Sequence, residues 1–150
     1  MLLSDYEQLK RFFYLFLLQD GSGLAEAVAA RDDMAFLDQL WADWSPGYRA
    51  SGHLAAVKQC LRDPRNLSAA IGYYRSTPIS DEATPESSQA PQPTLYLHGA
   101  RDGCISAELA RGAERYLAPG SRMIVVEDAG HFLQLERPAT INEHILSWLR

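Results

Sequence analysis

Residues 122–138 read RMIVVEDAGHFLQLERP, and they combine a predicted strand, a histidine and the start of a helix. Residues 123–126 form a short apolar, β-prone run that predicts a strand, which an acidic pair then ends in solvent. A glycine and His131 follow, and Pro138 suits the first turn of a last helix. One face of that helix carries Ile141, Ile145, Trp148 and Leu149. The stretch therefore places a histidine just past the end of a strand.

A second strand of the same kind lies upstream. Residues 94–98 (TLYLH) are apolar and β-prone, and a glycine stops them. Ser106 can cap a helix that reaches about Leu117. Residues 94–150 thus predict strand, helix, strand, helix. Runs that are apolar on both faces and separated by helices indicate a buried parallel sheet, so the predicted fold class is α/β.

The chain before these strands has a different character. Residues 1–76 show helical spacing of apolar positions and no strand pattern, and they predict a helical region of five segments. Residues 77–93 (TPISDEATPESSQAPQP) hold four prolines, three acids and no basic residue. We expect this second stretch to be a mobile linker or surface loop. The predicted organisation is therefore 1–76, 77–93 and 94–150.

Composition limits the function classes. The net charge of −5 argues against nucleic acid, because phosphates require a basic face. Two cysteines are too few for a disulfide framework, which favours the cytoplasm. The apolar run at 12–18 (FFYLFLL) is too short to span a membrane, and we expect a buried helix there, with a signal peptide as the alternative.

Two polar residues follow the two predicted strands. Asp102 comes after the first strand and His131 after the second. Sites in parallel sheets form at the carboxyl ends of strands, and neighbouring strands lie ~4.8 Å apart. The pair therefore predicts the orienting acid and the general base of a nucleophilic triad, with glycines 99, 103 and 130 allowing the turns. The alternative is that Asp102-Gly103 is an ordinary turn and His131 a surface residue.

The other residues with reactive side chains favour structural roles. We expect His98 to pack, and His53 and His144 to be solvated on helix faces. No histidine, carboxylate and cysteine spacing indicates zinc, so no metal site is predicted. Cys104 is interpreted as structural, because a nucleophile is not expected beside the orienting acid.

PTLYLHGARDGCI (93–105), followed by EDAGHFLQLERP (127–138), resembles the C-terminal part of the α/β-hydrolase fold. In that fold the triad order is nucleophile, acid, histidine, so the resemblance implies Asp102 as the acid and His131 as the histidine. The helical region resembles the cap domain that these enzymes insert before the acid strand. More narrowly, the chain is similar to the epoxide hydrolase and haloalkane dehalogenase branch.

The narrower resemblance implies roles for two tyrosines. Tyr14, in YLFLLQ (14–19), and Tyr74, in YYR (73–75), match the cap segments whose tyrosines hold the epoxide oxygen. A phenol suits this role because it donates a hydrogen bond to a developing alkoxide. The alternative is that both tyrosines belong to the core of the cap. The resemblance implies a small-molecule substrate, an epoxide or an ester, and no cofactor.

The chain departs from the family in one large respect. It contains no Gly-x-Ser-x-Gly and no Gly-x-Asp-x-Gly, and the strands that precede the cap in the family are absent. We therefore expect a C-terminal fragment with little turnover alone, completed by an N-terminal half or a second copy that covers the sheet edge. An epoxide hydrolase-like enzyme is the main hypothesis. A serine esterase of the same fold and a non-catalytic interaction protein are the alternatives.

Overall fold

A computed structural model describes residues 5–76 and 91–150, and these form two units. The first unit contains residues 5–43 and 49–76, and the second contains residues 44–48 and 91–150. Most of the predicted linker, residues 77–90, lies outside the described residues. The short segment Trp44–Tyr48 belongs to the second unit, although helices precede and follow it in the sequence.

The first unit is helical, as the apolar spacing predicts. Its helices are α1 (Tyr6–Arg11), α2 (Phe13–Leu18), α3 (Leu24–Trp44, whose last residue lies in the second unit), α4 (Ser51–Leu61) and α5 (Pro64–Ser76). Helix α1 starts at Asp5, whose carboxylate accepts hydrogen bonds from the backbone of Glu7 and Gln8. Asp63 and Pro64 separate α4 from α5, since proline is favoured in the first turn of a helix.

Helix α3 is interrupted where the sequence predicts a boundary between two helices. Arg31 leaves helical geometry, and Asp32, Asp33 and Met34 have φ values of 50°, 52° and 61°. This left-handed region is costly for residues that carry a Cβ atom. Both predicted helical segments are therefore present, and residues 31–34, in strained non-helical conformations, connect them.

The expectation of a buried helix at residues 12–18 was wrong for part of the run. Tyr14 and Leu18 are buried, whereas Phe13 and Phe16 are about half exposed. The backbone leaves the helix at Phe12, which ends α1 and precedes α2. Within α2 the buried and the exposed side chains lie on opposite faces, so this segment is amphipathic and not buried on all sides.

The second unit confirms the predicted order of strand, helix, strand and helix, and with it the α/β class. It contains β1 (Leu95–Gly99), α6 (Ala107–Gly112), a 3₁₀ turn (Glu114–Tyr116), β2 (Arg122–Val126), α7 (Leu133–Glu136) and α8 (Pro138–Trp148). The strands are parallel, with Leu97 opposite Ile124 and Gly99 opposite Val126. Within the described residues the sheet has these two strands, which is consistent with an incomplete core.

Local signals fixed the ends of the helices in this unit. Ser106 caps α6 by accepting a hydrogen bond from the backbone N–H of Leu109, as predicted. Helix α6 ends at Gly112, earlier than expected, and a 3₁₀ turn continues to Tyr116. Pro138 occupies the first turn of α8, which confirms the second predicted start.

The core of the second unit is small. Val126, Ala129 and Ile141 are buried, and Leu97 and Leu133 pack against them. Ile145 in α8 and Leu149 just after it are exposed, and Trp148 is half-buried, so the predicted apolar face is fully buried only in its first turn. Within residues 5–76 and 91–150, no helix combines the length and apolarity needed to cross a bilayer.

Candidate active site

Two loops leave the same end of the two strands and bond to each other. The backbone N–H of Ala100 donates to the carbonyl oxygen of Val126, and that of Arg101 donates to Ala129, each at 2.9 Å. Because Gly99 and Val126 are paired, both loops begin at the carboxyl end of the sheet. The fold therefore brings together the two residues that the sequence placed after separate strands.

Asp102 and His131 form a hydrogen-bonded pair. The Nδ1 atom of His131 lies 3.0 Å from Oδ2 of Asp102. The other carboxylate oxygen, Oδ1, accepts hydrogen bonds from the backbone N–H groups of Cys104 at 2.7 Å and Ile105 at 3.0 Å. Asp102 is 6% exposed, whereas the His131 side chain is 31% exposed. A carboxylate at Nδ1 favours the tautomer with the proton there, which leaves Nε2 as the basic nitrogen.

The electrostatics of this pair favour an ionised carboxylate. Burial raises the pKa of Asp102, whereas the hydrogen bonds from His131 and from the two backbone N–H groups lower it by a larger amount. The net effect is that the pKa of Asp102 lies below its ordinary value. Asp102 can therefore stabilise a positive charge that develops on the imidazole.

His98 packs behind the pair, as predicted. It is buried, its Nε2 donates to the carbonyl oxygen of Ile105 at 3.1 Å, and its Nδ1 accepts from the Tyr96 hydroxyl at 3.2 Å. Burial, and then the charge of Asp102, raise the pKa of Tyr96, so that hydroxyl stays protonated and remains a donor. His98 therefore supports the backbone at Ile105, which itself donates to Asp102.

A group of possible metal ligands appears only in three dimensions. Ligating atoms of Asp102, Cys104 and His131 lie within 4.8 Å of one another, although their spacing in the sequence does not suggest zinc. A cation bound by Nδ1 and Oδ2 would have to replace the proton that these two atoms share at 3.0 Å. Metal binding and acid–base function are therefore mutually exclusive here.

Three residues that the sequence did not single out complete the site. The carbonyl oxygen of Trp44 accepts hydrogen bonds from the backbone of Gly103 at 3.0 Å and His131 at 3.1 Å. Ser45 and Glu136 hydrogen-bond to each other at 2.8 Å beside the histidine loop. In the sequence, Ser45 is the first residue of Ser-Pro-Gly (45–47), which predicts the end of a helix, and Glu136 lies in an ordinary helical turn. A contact across 91 positions leaves no local pattern by which to find it.

The glycines of the two loops are required by close approach. Neither Gly99 nor Gly130 is among the glycines with positive φ, so their role differs from the turn conformations that the sequence suggested. A Cβ atom at Gly99 would overlap the backbone carbonyls of residues 129 and 130. A Cβ atom at Gly130 would lie 2.7 Å from Cα of Ser45. Only glycine allows these loops to pack so closely.

The two predicted tyrosines meet in the first unit. The rings of Tyr14 and Tyr74 are edge-to-face, with centroids 6.0 Å apart and an interplanar angle of 89°. Tyr14 is only 5% exposed, and Tyr74 is half-buried. The side-chain amide of Gln19 donates to the carbonyl oxygen of Tyr74 at 3.2 Å, which joins the ends of α2 and α5. Residues 60 positions apart in the sequence thus form one aromatic pair.

Comparison with known families agrees with this geometry. The model of the alpha/beta hydrolase family matches residues 5–144. The chain belongs to this family. Its alpha/beta hydrolase relatives include the AB hydrolase superfamily protein YfhM of Bacillus subtilis, with 27% identity over 85% of this chain and 44% of the relative.

Two further relatives carry names that specify reactions. Epoxide hydrolase 1 of Caenorhabditis elegans is 25% identical over 97% of this chain and 37% of its own length. Carboxylesterase YbfK of Bacillus subtilis is 33% identical over 57 residues, which are 38% of this chain and 19% of that protein. The chain thus spans less than half the length of these relatives, and its similarity to Epoxide hydrolase 1 extends over nearly all of it.

Proposed function

We propose that this chain supplies the acid, the base and the cap tyrosines of an epoxide hydrolase-like enzyme. The observation that supports this best is the Asp102–His131 hydrogen bond of 3.0 Å, with the acid buried and the base partly exposed. In this family the nucleophile lies in a tight turn of the form Gly-x-Ser-x-Gly or Gly-x-Asp-x-Gly, the nucleophile elbow. The 150 residues contain no such turn, so a segment outside them, such as an N-terminal half, would provide the nucleophile. The chain alone would then have little or no turnover.

The reaction would proceed in two steps. A carboxylate nucleophile attacks a ring carbon of the epoxide, the ring C–O bond breaks, and an ester to the enzyme forms. Nε2 of His131 then takes a proton from a water molecule, and the resulting hydroxide attacks the carbonyl carbon of the ester. The acyl C–O bond of the ester then breaks, and the imidazolium, stabilised by Asp102, gives its proton to the leaving alkoxide to form the diol. The regenerated carboxyl group loses its proton, which replaces the one that the epoxide oxygen took up when the ring opened.

Tyr14 and Tyr74 would act in the first step. When the ring opens, negative charge develops on the epoxide oxygen, and a phenol can donate a hydrogen bond or a proton to it. The edge-to-face contact holds the two rings together, which supports a shared role for them. No cofactor enters either step.

The test joins this chain to the elbow-bearing half of the epoxide hydrolase relative, with Asp at the elbow. The fusion is treated with a terminal epoxide, and the bound adduct is measured by intact mass spectrometry. A His131→Gln variant is expected to accumulate an ester with the mass of the epoxide, because the base that activates water is missing. Without any adduct in a folded fusion, the proposal would be abandoned. His144→Gln, which changes a histidine of α8, is the control.

A serine esterase is the second candidate, favoured by the match to carboxylesterase YbfK. The same acid and base serve that reaction, in which His131 first takes a proton from a serine hydroxyl. A fusion with Ser at the elbow would then hydrolyse a simple ester and leave epoxides intact. Comparing the two fusions on both substrates separates the candidates.

A further inference from the structure

The backbone at Trp44 bonds to both loops of the acid–base pair. Its carbonyl oxygen accepts hydrogen bonds from Gly103, which directly follows Asp102, and from His131 itself. The rings of Trp44 and His131 also pack, with centroids 5.2 Å apart and an interplanar angle of 54°. One residue therefore sets the separation of the acid loop from the base loop and restricts one side of the imidazole.

Ser45 and Glu136 hold the residues on either side of His131. The Oγ atom of Ser45 accepts from the backbone N–H of Phe132 at 3.1 Å and donates to Oε1 of Glu136 at 2.8 Å. The second oxygen of Glu136, Oε2, accepts from the backbone N–H of Gly130 at 2.9 Å. We call Trp44, Ser45 and Glu136 the clamp. Its members accept hydrogen bonds from three successive backbone N–H groups, those of residues 130, 131 and 132.

The clamp is closely packed against the loop that carries His131. Ser45 has no exposed surface, and a Cβ atom at Gly130 would lie 3.0 Å from its Oγ atom and 3.1 Å from Oε1 of Glu136. Hydrogen bonds in which a charged carboxylate accepts are roughly twice as strong as neutral ones. The loop that carries His131 is thus held in place by hydrogen bonds to Trp44, Ser45 and Glu136, in addition to the bond between His131 and Asp102.

We propose that Ser45 and Glu136 are positioning residues that hold the His131 imidazole in register with Asp102. As a statement about catalysis this rests on the proposed function, but the geometry can be tested without substrate. A displacement of the loop by about 1 Å would break the Nδ1–Oδ2 hydrogen bond and misplace Nε2, which can lower a rate about 100-fold.

The test follows the Nδ1–H proton of His131 by NMR in the ¹⁵N-labelled 150-residue chain, at about pH 8, where an ordinary imidazole is neutral. Ser45→Ala is expected to abolish the downfield Nδ1–H resonance and to give a mixture of tautomers in the ¹⁵N shifts. Glu136→Gln is expected to have a smaller effect, since the amide oxygen can still accept from Gly130.

Ser121→Ala is the matched control. Its Oγ atom accepts from the backbone N–H of Thr94 at 2.9 Å, a bond of the same kind near the amino ends of the strands. The control is expected to lower stability but to leave the His131 spectrum unchanged. An unaltered His131 resonance in folded Ser45→Ala would overturn the proposal. If that variant does not fold, an unaltered resonance in Glu136→Ala, which removes both acceptor oxygens, overturns it.

Kinetics of the elbow-bearing fusion extend the test. Ser45→Ala is expected to lower kcat roughly 10- to 100-fold with KM nearly unchanged. In an Asp102→Asn background it is expected to cost little more, because both changes act through the same imidazole. An inactive fusion with a normal His131 resonance would count against the proposed function and leave the positioning role intact.

Discussion

Asp102 keeps its charge although it is buried, because three hydrogen-bond donors face its two oxygens. This arrangement requires donors from two loops, and it explains why the pKa falls although burial alone would raise it. A carboxylate with this environment orients the imidazole and has no proton to give at neutral pH. Its environment is therefore compatible with the orienting role proposed for it.

Asp102→Asn tests the charge of this residue. A group with a lowered folded pKa stabilises the native state above its unfolded pKa, near 3.9, and loses that contribution as pH falls through the folded value. The stability advantage of the native protein over Asp102→Asn should be fully present at about pH 5 and be lost as pH falls further. Urea unfolding from pH 2 to 5 measures it. An advantage that grows as pH falls within this range would contradict this account.

Gly130→Ala tests the close approach beside His131. The added Cβ atom would lie 2.7 Å from Cα of Ser45, so we expect a loss of about 1–3 kcal/mol from overpacking. Gly112→Ala is the control, since nothing lies within 4 Å of its Cβ position; it should be neutral or stabilising by up to about 1 kcal/mol. Equal melting temperatures for the two variants would refute the packing argument.

At the scale of elements, one ion pair joins two helices of the first unit. Arg75 at the end of α5 makes two hydrogen bonds of 2.7 Å to the carboxylate of Glu26 in α3, and its Nε donates to the carbonyl oxygen of Asp20 at 2.9 Å. The two parallel bonds fix direction as well as distance. They hold the end of α5, and with it Tyr74, against the start of α3.

This pair predicts an acid-sensitive contact. The hydrogen bonds from Arg75 lower the pKa of Glu26 from 4.5 to about 2. Its stabilising contribution is therefore complete above pH 4.5 and is lost as pH falls toward 2. NMR titration of the Glu26 carboxyl carbon measures this directly, and a midpoint near 4.5 would exclude the pair in solution. Glu7→Gln, which removes an exposed pair with Lys10, should leave the unfolding midpoint nearly unchanged.

Elements could be predicted from the sequence where local chemistry decides them. Both strands are short apolar runs, and Ser106 and Pro138 are helix-start residues whose effect lies within one turn. The break at Phe12 could not be predicted, because no glycine or proline marks it.

At the scale of the whole molecule, each strand has one strand neighbour among the described residues. We expect the amides of β1 that point away from β2 to exchange rapidly in the isolated chain. In the elbow-bearing fusion they should exchange at least about tenfold more slowly, because a further strand can pair there. Hydrogen-exchange mass spectrometry measures this, with the amides of α4 as the internal control. Equal exchange in a monomeric chain and in the fusion would argue against a missing strand.

The Asp102–His131 pair could be predicted from the sequence, whereas the residues that support it could not. Asp102 and His131 follow strand ends and belong to a known order of motifs, so sequence alone pairs them. The division between units at Trp44–Tyr48 and the contacts of Ser45 depend on folding across many tens of residues. Such long-range contacts leave no period or spacing along a single chain.

The placement of Trp44–Tyr48 has a consequence for protein recombination. In the sequence this segment interrupts the helical block, yet its backbone is bonded to the loops that carry Asp102 and His131. A chimera that exchanges residues 5–76 as one cassette would import a foreign segment at this position and disturb a histidine that it never mutated. Crossovers on both sides of residues 44–48 would let the helices be exchanged while the Asp102–His131 pair keeps its native support.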